Sequence, residues 1–530
     1  MYDLLIKGGT ILDGTGTPSY VADVAVAKGR LVAIGQLDNE ALEIIDATGL
    51  AVAPGFIDLH THSDASFLLD GTAQSKLRQG CTLELTGNCG SSFCAPLIGQ
   101  AREIGEQRIS MFGVEPRLDW TYFGEYLERL EQAGSTINLA TQVGHGTIRA
   151  AVLGFDDRAP TPEELTQMQA LTADCLDAGA LGFSTGLYYA PGNYARTDEV
   201  VALAKEAAKR SKLYSTHMRD ESDYSISLFG SIEETIAIGR LSEVRVQISH
   251  LKCVGPPVWG RSRELLERIE RARTEGIDVA ADQYPYTASS TGLNGAVFPR
   301  WAEVGGRETT IAKLADEEFY AKLHASITDN YYRRGGSDSV VIANYPANRE
   351  YEGLSLLEIS RLMSCDPNDA AIRLYRDGQA QVVLHSLDES DVETIAGGRW
   401  VAVGSDGSSL STEGVLSVGK PHPRSYGTFP RFIDRYVRNK QIVSLEEAIR
   451  KMTFLPAQRL GLSQRGRIAP GLWADLVVFD SRTVKDTATF QSPHSYADGI
   501  SHVIVNGIPV IRDGLFTGAT PGKVLTSFHD

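Results

Sequence analysis

Short apolar runs with a period of two and glycine-rich punctuation fill residues 1–58: DLLIKGGTIL, DVAVAKGRLVAIG and IIDATGLAVAP read as half-buried strands. The same texture returns near the other end in GRIAPGLWADLVVFD and SHVIVNGIPVIRDGLF, with Asn-Gly and Asp-Gly turns. Neither end has enough strands to bury a face alone. The two are therefore expected to pair into one small β-sandwich domain, residues 1–58 with 461–530.

Between them, strand-like runs alternate with amphipathic helical segments such as TPEELTQMQALTADCLDAG and TDEVVALAKEAAKRS. Candidate strands are GFIDLHTH (55–62), TLELTGN (82–88), INLATQVG (137–144), ALGFSTG (180–186), LYSTHM (213–218), VRVQISHLK (244–252), IDVAADQYPY (277–286), QVVLHSL (381–387) and WVAVGSDG (400–407). Alternating β and α segments predict an α/β fold with a parallel sheet, and about eight units predict a closed (β/α)8 TIM-like barrel over residues 59–460. Nine runs compete for eight places, and QVVLHSL is the weakest. Residues 288–380 are too long for one loop and helix, so they are expected to form an inserted subdomain. Barrel sites open at the C-terminal ends of the strands, so an insertion after the seventh strand would overhang the site as a lid.

Composition narrows the function classes. At 530 residues, 42% apolar and 22% charged, the chain is an ordinary globular protein of two or three domains. Its net charge of −16 argues against nucleic acid or an anionic membrane as the partner, while leaving room for a small anionic substrate met by a local cation. The six cysteines are too sparse for a disulfide scaffold and fit a reducing compartment. The N-terminus has no apolar signal region and no run of 18 apolar residues occurs, so the expected location is cytoplasmic.

Candidate chemistry lies at the strand ends. His60 and His62 form His-Thr-His at the end of the first run, where positions i and i+2 of a strand share a face. His217 ends LYSTHM, His250 ends the core of VRVQISHLK, and Asp406 ends WVAVGSDG. Each alone has an ordinary reading, a packed histidine or an Asp-Gly turn. Together they have the composition of a hydrolytic zinc site, imidazoles and one carboxylate beside an open position.

These residues resemble the metal-dependent amidohydrolase superfamily, whose barrel carries a β-sandwich built from both chain ends. The segments GNCGSS (87–92), FSTGLYYAPG (183–192), SHLKC (249–253), DQYPYTASS (282–290), HPRSYGTFPRFIDRYVR (422–438) and MTFLPAQRLGLSQRGRIAPGLWADLVVFD (452–480) resemble the N-acyl-D-amino-acid deacylase branch. The resemblance spans nearly the whole chain and is weakest in the insertion. It implies that Cys89 joins His217 and His250 in a tight Zn2+ site, that His60, His62 and Asp406 surround a weaker second position, and that Asp406 shuttles the proton of amide hydrolysis. It further implies that Lys252, Arg424 and Tyr189 receive the carboxylate of a small N-acyl amino acid, and that Tyr284 and Ser290 meet the acyl group. His145 and His385 also resemble family positions, but a packed role suits both. Cyclic-amide hydrolysis, as in hydantoinases and dihydroorotases, ranks lower because those enzymes use a bridging lysine where this chain has cysteine. A barrel acting only as a scaffold would be expected to have lost a ligand, and none is missing. Some relatives take D-glutamate or D-aspartate derivatives, which need a further cation; Arg300, Arg307, Arg333 and Arg334 of the insertion are the candidates. With no third cation placed in the pocket, neutral or hydrophobic side chains are the expectation.

Overall fold

The computed structural model describes residues 1–37 and 40–530. Five strands come first: β1 Tyr2–Ile11, β2 Tyr20–Ala27, β3 Arg30–Gly35, β4 Ala41–Asp46 and β5 Ala51–Pro54. Seven strands of the second sheet follow: β6 Phe56–Asp58, β7 Cys81–Thr86, β8 Asn138–Gly144, β9 Gly182–Gly186, β10 Leu213–His217, β11 Arg245–Ile248 and β12 Val279–Gln283. After β13 Ser289–Gly292, β14 Val340–Asn344 and β15 Gln381–Leu384, the second sheet is completed by β16 Val401–Val403; β17 Leu476–Phe479, β18 Ile500–Val505, β19 Ile508–Arg512 and β20 Leu515–Phe516 end the chain.

The second sheet is the expected barrel, with eight parallel strands running β6 to β12 and then β16. The ring closes at a short seam beyond the ends of β6 and β16. The Asp406 amide donates to the His60 carbonyl (2.8 Å), and the His62 amide donates to the Gly407 carbonyl (2.8 Å). All seven residues of β8 are buried, as expected for a strand covered on both sides. The interior is filled by alternate residues of neighbouring strands, among them Ile57, Leu59, Leu83, Leu85, Ala140, Leu213 and Ala402. The outer helices begin where the sequence signals it. Thr161 caps the helix Pro162–Ala178, with its hydroxyl accepting from the Glu164 amide and Pro162 in the first turn.

QVVLHSL lies outside the barrel, and its β15 is the central strand of a separate antiparallel sheet, β13-β15-β14. Val382 and Leu384 bury into a core of their own with Leu293, Phe298, Leu323, Ile342, Leu356 and Tyr375. The inserted segment therefore extends past residue 380, because its middle strand is contributed last.

The two chain ends form one continuous nine-stranded sheet, in which β5 pairs antiparallel with β17, Pro54 opposite Leu476 and Ala51 opposite Phe479. A register irregularity in β1 between Ile6 and Gly9 lets its first half pair with β4 and its last residues with β5. At Gly9 a side chain would strike Val52. Leu4, Val24, Leu31, Val52, Leu476, Val478 and Ile504 share the enclosed core, so each end supplies apolar surface that the other covers. The first barrel strand falls inside residues 1–58. Gly55 still bonds to the carbonyl of Asp475 while Phe56 already bonds to Gly80, and the chain changes layers between them.

The last residues return to the barrel. Leu139 donates to the Lys523 carbonyl (2.8 Å), Leu525 donates to that of Leu139 (2.7 Å), and the Leu525 side chain joins the interior cluster with Leu455 and Leu460.

Leu476 is fully buried where the two chain ends meet. Leu476→Ala is expected to lower unfolding stability by about 2–5 kcal/mol, read as a reduced midpoint in urea at unchanged slope.

Candidate active site

The strand ends surround a cavity of about 510 Å³ whose wall includes His62, Cys89, His217, His250, Asp406 and Arg424. Backbone geometry at these positions is unusual. Cys89 (φ 54°), His250 (φ 38°) and Asp406 (φ 51°) are all left-handed non-glycine residues just past the ends of β7, β11 and β16. Left-handed backbone is costly for such residues and persists where surrounding bonds hold it. The Asp406 amide is held by His60 O, and the His250 amide by the carboxylate of Asp282 (2.8 Å).

His60 and His62 do converge, but not by strand alternation. Strand β6 ends at Asp58, and both histidines lie in the bend beyond it. The seam brings them to Asp406, whose Oδ1 is 3.1 Å from His62 Nε2 and 3.5 Å from His60 Nε2. On its other side the Cys89 sulfur lies 3.3 Å from His60 Nε2 and 3.4 Å from His250 Nε2. His217 packs edge-on against His250, ring centres 4.4 Å apart, and stacks on Tyr188 at 5.3 Å.

Three overlapping groups bring metal-ligating atoms within 4.8 Å of one another: His60, Cys89 and His250; His60, His62 and Asp406; and His217, Glu221 and His250. The Cys89, His217, His250 trio implied by resemblance is thus divided between two groups that share His250. The donor set fits a borderline-soft cation such as zinc, a thiol with several imidazoles. Both ring nitrogens of His217 are buried without a hydrogen-bond partner among the described residues, a costly state that a ligated ion would relieve.

Electrostatics in this cluster are strongly coupled. Burial opposes a thiolate at Cys89, yet the neighbouring His60 and His250 rings hold its thiol well below the usual range. Burial likewise works against charge on His60 and His250, but Asp282 and Cys89 raise the first well above 6.5, and Asp406, Cys89 and Glu221 raise the second to about 9 against Lys252. For His217 burial wins and the ring is pushed down. Asp406 resists burial because Arg424 holds its carboxyl far below the usual range, through a 2.7 Å contact of Nη1 with Oδ2.

The two cations assigned to a substrate carboxylate are both on the wall, and both already face an acid. β11 ends at Ile248, and beyond it Lys252 folds back to donate to Glu221 Oε1 (2.6 Å), His250 Nδ1 (2.7 Å) and His250 O (3.0 Å). Arg424 opens the helix Arg424–Arg431, anchored by its amide on His422 Nδ1 (3.0 Å), while His422 Nε2 meets the Ala288 carbonyl (3.0 Å). Ser290 lies on the cavity wall, its carbonyl 3.4 Å from Arg424 Nη2. Tyr189 is also on the wall, held by a bond from Thr291 Oγ1 (3.0 Å) and 4.8 Å from the His217 ring. Tyr284 does not line the cavity: it sits behind the two cations, its ring centre 4.6 Å from Arg424 and 5.8 Å from Lys252, with its hydroxyl buried and unpartnered among the described residues. His145 is buried and bonds Glu199 (2.9 Å) beside Arg149, as a packed histidine would; His385, for which a packed role was also expected, is exposed, with its ring 4.8 Å from that of Phe490.

Two carboxylates emerge only in three dimensions. Glu221 braces Lys252 and lies 3.1 Å from His250 Nδ1, and Asp282 holds His60 Nδ1 (3.1 Å) as well as the His250 amide. Asp282 opens the DQYPY segment, and Glu221 stands four residues beyond His217. Nothing in local periodicity marks either. The insertion supplies the remaining wall through Ser289–Gly292, Asn294, Arg334, Asn344 and Gln381. Of its four candidate arginines, Arg300 pairs with Glu303, Arg333 with Asp223, and Arg307 caps carbonyls at the end of the helix Pro367–Asp377. Arg334 alone among these four lines the cavity.

A parallel barrel with histidines, a cysteine and an aspartate gathered at its C-terminal rim defines a metal-dependent hydrolase type of site. The model of the Amidohydrolase family matches residues 43–238 and 398–511, and the chain belongs to that family. It is 37% identical to the D-aminoacylase of Alcaligenes xylosoxydans xylosoxydans, covering 99% of this chain and 97% of that one. It is equally 37% identical to the N-acyl-D-glutamate deacylase of the same organism, covering 99% and 96%. Among solved structures, the N-acyl-D-glutamate deacylase of Bordetella bronchiseptica, complexed with zinc and a phosphonate mimic of the tetrahedral intermediate, superposes with a TM-score of 0.83 at 36% identity, covering 99% of this chain and 100% of that one.

Glu221 is buried, and although burial favours its neutral form, Lys252, His217 and His250 hold its pKa below the usual value. Removing it leaves Lys252 as a buried unpaired charge, so Glu221→Gln is expected to cost about 3–5 kcal/mol near pH 7 by chemical denaturation. A depressed carboxyl pKa gives stability that is complete above the unfolded value near 4.3 and lost as pH falls through the folded one. The gap between wild type and variant should therefore narrow below about pH 4.

Proposed function

We propose that this protein hydrolyses the amide bond of N-acyl-D-amino acids, giving a carboxylate and a free D-amino acid. The observation that carries this reading is similarity over 99% of the chain to two deacylases of that kind, with the rim residues gathered in one cavity. The D configuration rests on those relatives. Zinc is the metal that suits the donors, held by Cys89, His217 and His250, with His60, His62 and Asp406 framing a second position; when bound it would polarise the acyl carbonyl and acidify water.

The protein's own groups divide the remaining work. Asp406 is ionised and points Oδ1 toward His62 and His60, so it can accept a proton from the attacking water at that atom. In the resting protein Arg424 holds Oδ2 and weakens that base. A substrate carboxylate arriving at Arg424 competes for the guanidinium, and Asp406 gains basicity as it is released. The water oxygen bonds to the acyl carbon, the C–N bond breaks, and Asp406 passes its proton to the departing amine. Lys252 contributes a point charge steadied by Glu221, and Arg424 a fork suited to bidentate pairing. His60 stays oriented through Asp282, since a carboxylate on one ring nitrogen fixes what the other presents.

Assays with N-acetyl-D-methionine, its L enantiomer and a hydantoin test the reading; turnover of the D substrate is expected, and turnover of the hydantoin alone would overturn it. Asp406→Asn is expected to keep the fold and zinc while lowering kcat by about 10²–10⁴-fold. Cys89→Ala is expected to lower bound zinc in elemental analysis, and an undiminished content would remove Cys89 from the ligands.

A further inference from the structure

Four cations line the cavity: Arg108, Lys252, Arg334 and Arg424. Three have an acid beside them. Arg424 faces Asp406 at 2.7 Å, Lys252 faces Glu221 at 2.6 Å, and Arg108 faces Asp64 at 3.7 Å. Arg334 has none within ion-pair distance among the described residues. Its Nε donates to the Ala296 carbonyl (2.7 Å) and its Nη2 to the Tyr188 hydroxyl (2.7 Å), leaving Nη1 without a protein partner among those residues. The ionisable groups nearest it are the phenols of Tyr188 and Tyr224, not carboxylates.

A guanidinium that is 96% buried, at 4% exposure, without a counter-charge is costly, and arginine is seldom so buried unpaired. Its surroundings supply further donors rather than acceptors of charge. Tyr224 also lines the cavity, with its hydroxyl buried and unpartnered among the described residues and its ring 5.3 Å from the guanidinium. Arg300 lies 4.0 Å from the centre of the Tyr188 ring and is itself paired with Glu303. An arginine with a free edge beside a free hydroxyl is a carboxylate receptor.

We propose that Arg334 receives a second carboxylate, carried on the substrate's side chain, so that the preferred substrates are N-acyl derivatives of acidic D-amino acids. This rests on the deacylase reading and extends it to the side chain. Position separates the two carboxylates. The α-carboxylate is one carbon from the scissile nitrogen, so its receptor must touch the reacting groups, as Arg424 does through Asp406. Arg334 is set back from His217 by the full ring of Tyr188, which stacks on the histidine and bonds the arginine through its hydroxyl. A group reaching Arg334 must project away from the reacting amide, as a side chain does.

The test measures kcat and KM of the zinc-loaded enzyme with N-acetyl-D-glutamate, N-acetyl-D-aspartate and N-acetyl-D-methionine, in wild type, Arg334→Met and Arg334→Lys. Wild type should favour an acidic substrate. Losing one partner of a buried charge pair should lower kcat/KM for that substrate by about 10²-fold more than for the methionine derivative, mainly through KM. Lysine should restore part of the loss, which a purely structural role would not predict. A wild-type preference for the methionine derivative overturns the inference while leaving the deacylase reading intact, and this comparison stands even if a variant fails to fold. An equal loss on all substrates in Arg334→Met also overturns it, by assigning Arg334 to the shared carboxylate or to the fold. Absence of turnover on every N-acyl-D-amino acid overturns the deacylase reading and this inference with it.

Discussion

A parallel sheet of eight strands becomes a barrel only if its first and last strands meet, and here they meet through a few backbone bonds beyond the strands themselves. The bond from the Asp406 amide to the His60 carbonyl is the seam of the ring and also the frame of the site. It fixes the aspartate from one edge against the two histidines from the other. Closure and site geometry are thus one constraint, since a ring that opened at this seam would expose two sheet edges and part Asp406 from His60 and His62 together. The left-handed backbone at Asp406 is tolerated because that bond holds it.

Around the seam, the protein balances charge by pairing. Glu221 answers Lys252, Asp406 answers Arg424, and Asp282 answers His60. Pairing makes these groups tolerable in a buried setting, and it also stores them in a state from which an incoming anion can take one partner. Arg334 departs from this rule: it reaches the cavity from the insertion, with no acid paired to it among the described residues.

The barrel, the joining of the chain ends and the rim histidines were legible because each leaves a periodic or punctuated trace in the sequence. HTH, SHLKC and SDG sit where apolar runs stop, and the barrel places such stops on one rim. The reason given for His60 and His62 was nevertheless incorrect in detail, since a bend and the seam align them, not the pleat. Glu221 and Asp282 were illegible because a carboxylate facing a histidine from another strand leaves no spacing to read. Arg334 was hidden differently: the pair Arg333-Arg334 closes a helix before two glycines, a pattern that normally marks solvated cations at a helix end. Only the turn of one side chain outward to Asp223 and the other inward to Tyr188 separates their fates.

The return of residues 523–525 to the floor of the barrel has a consequence for synthesis on the ribosome. Strand β8 appears early, yet the pairing of Leu139 with Lys523 and Leu525, and the plug that Leu525 adds beneath the strands, involve residues almost four hundred positions later. The same holds for β5, whose partner β17 follows the whole barrel. Such distant pairings slow folding, because loop closure precedes the contacts that reward it. During synthesis the barrel therefore lacks its floor, and the β5 edge lacks its partner, until residues 476–525 emerge.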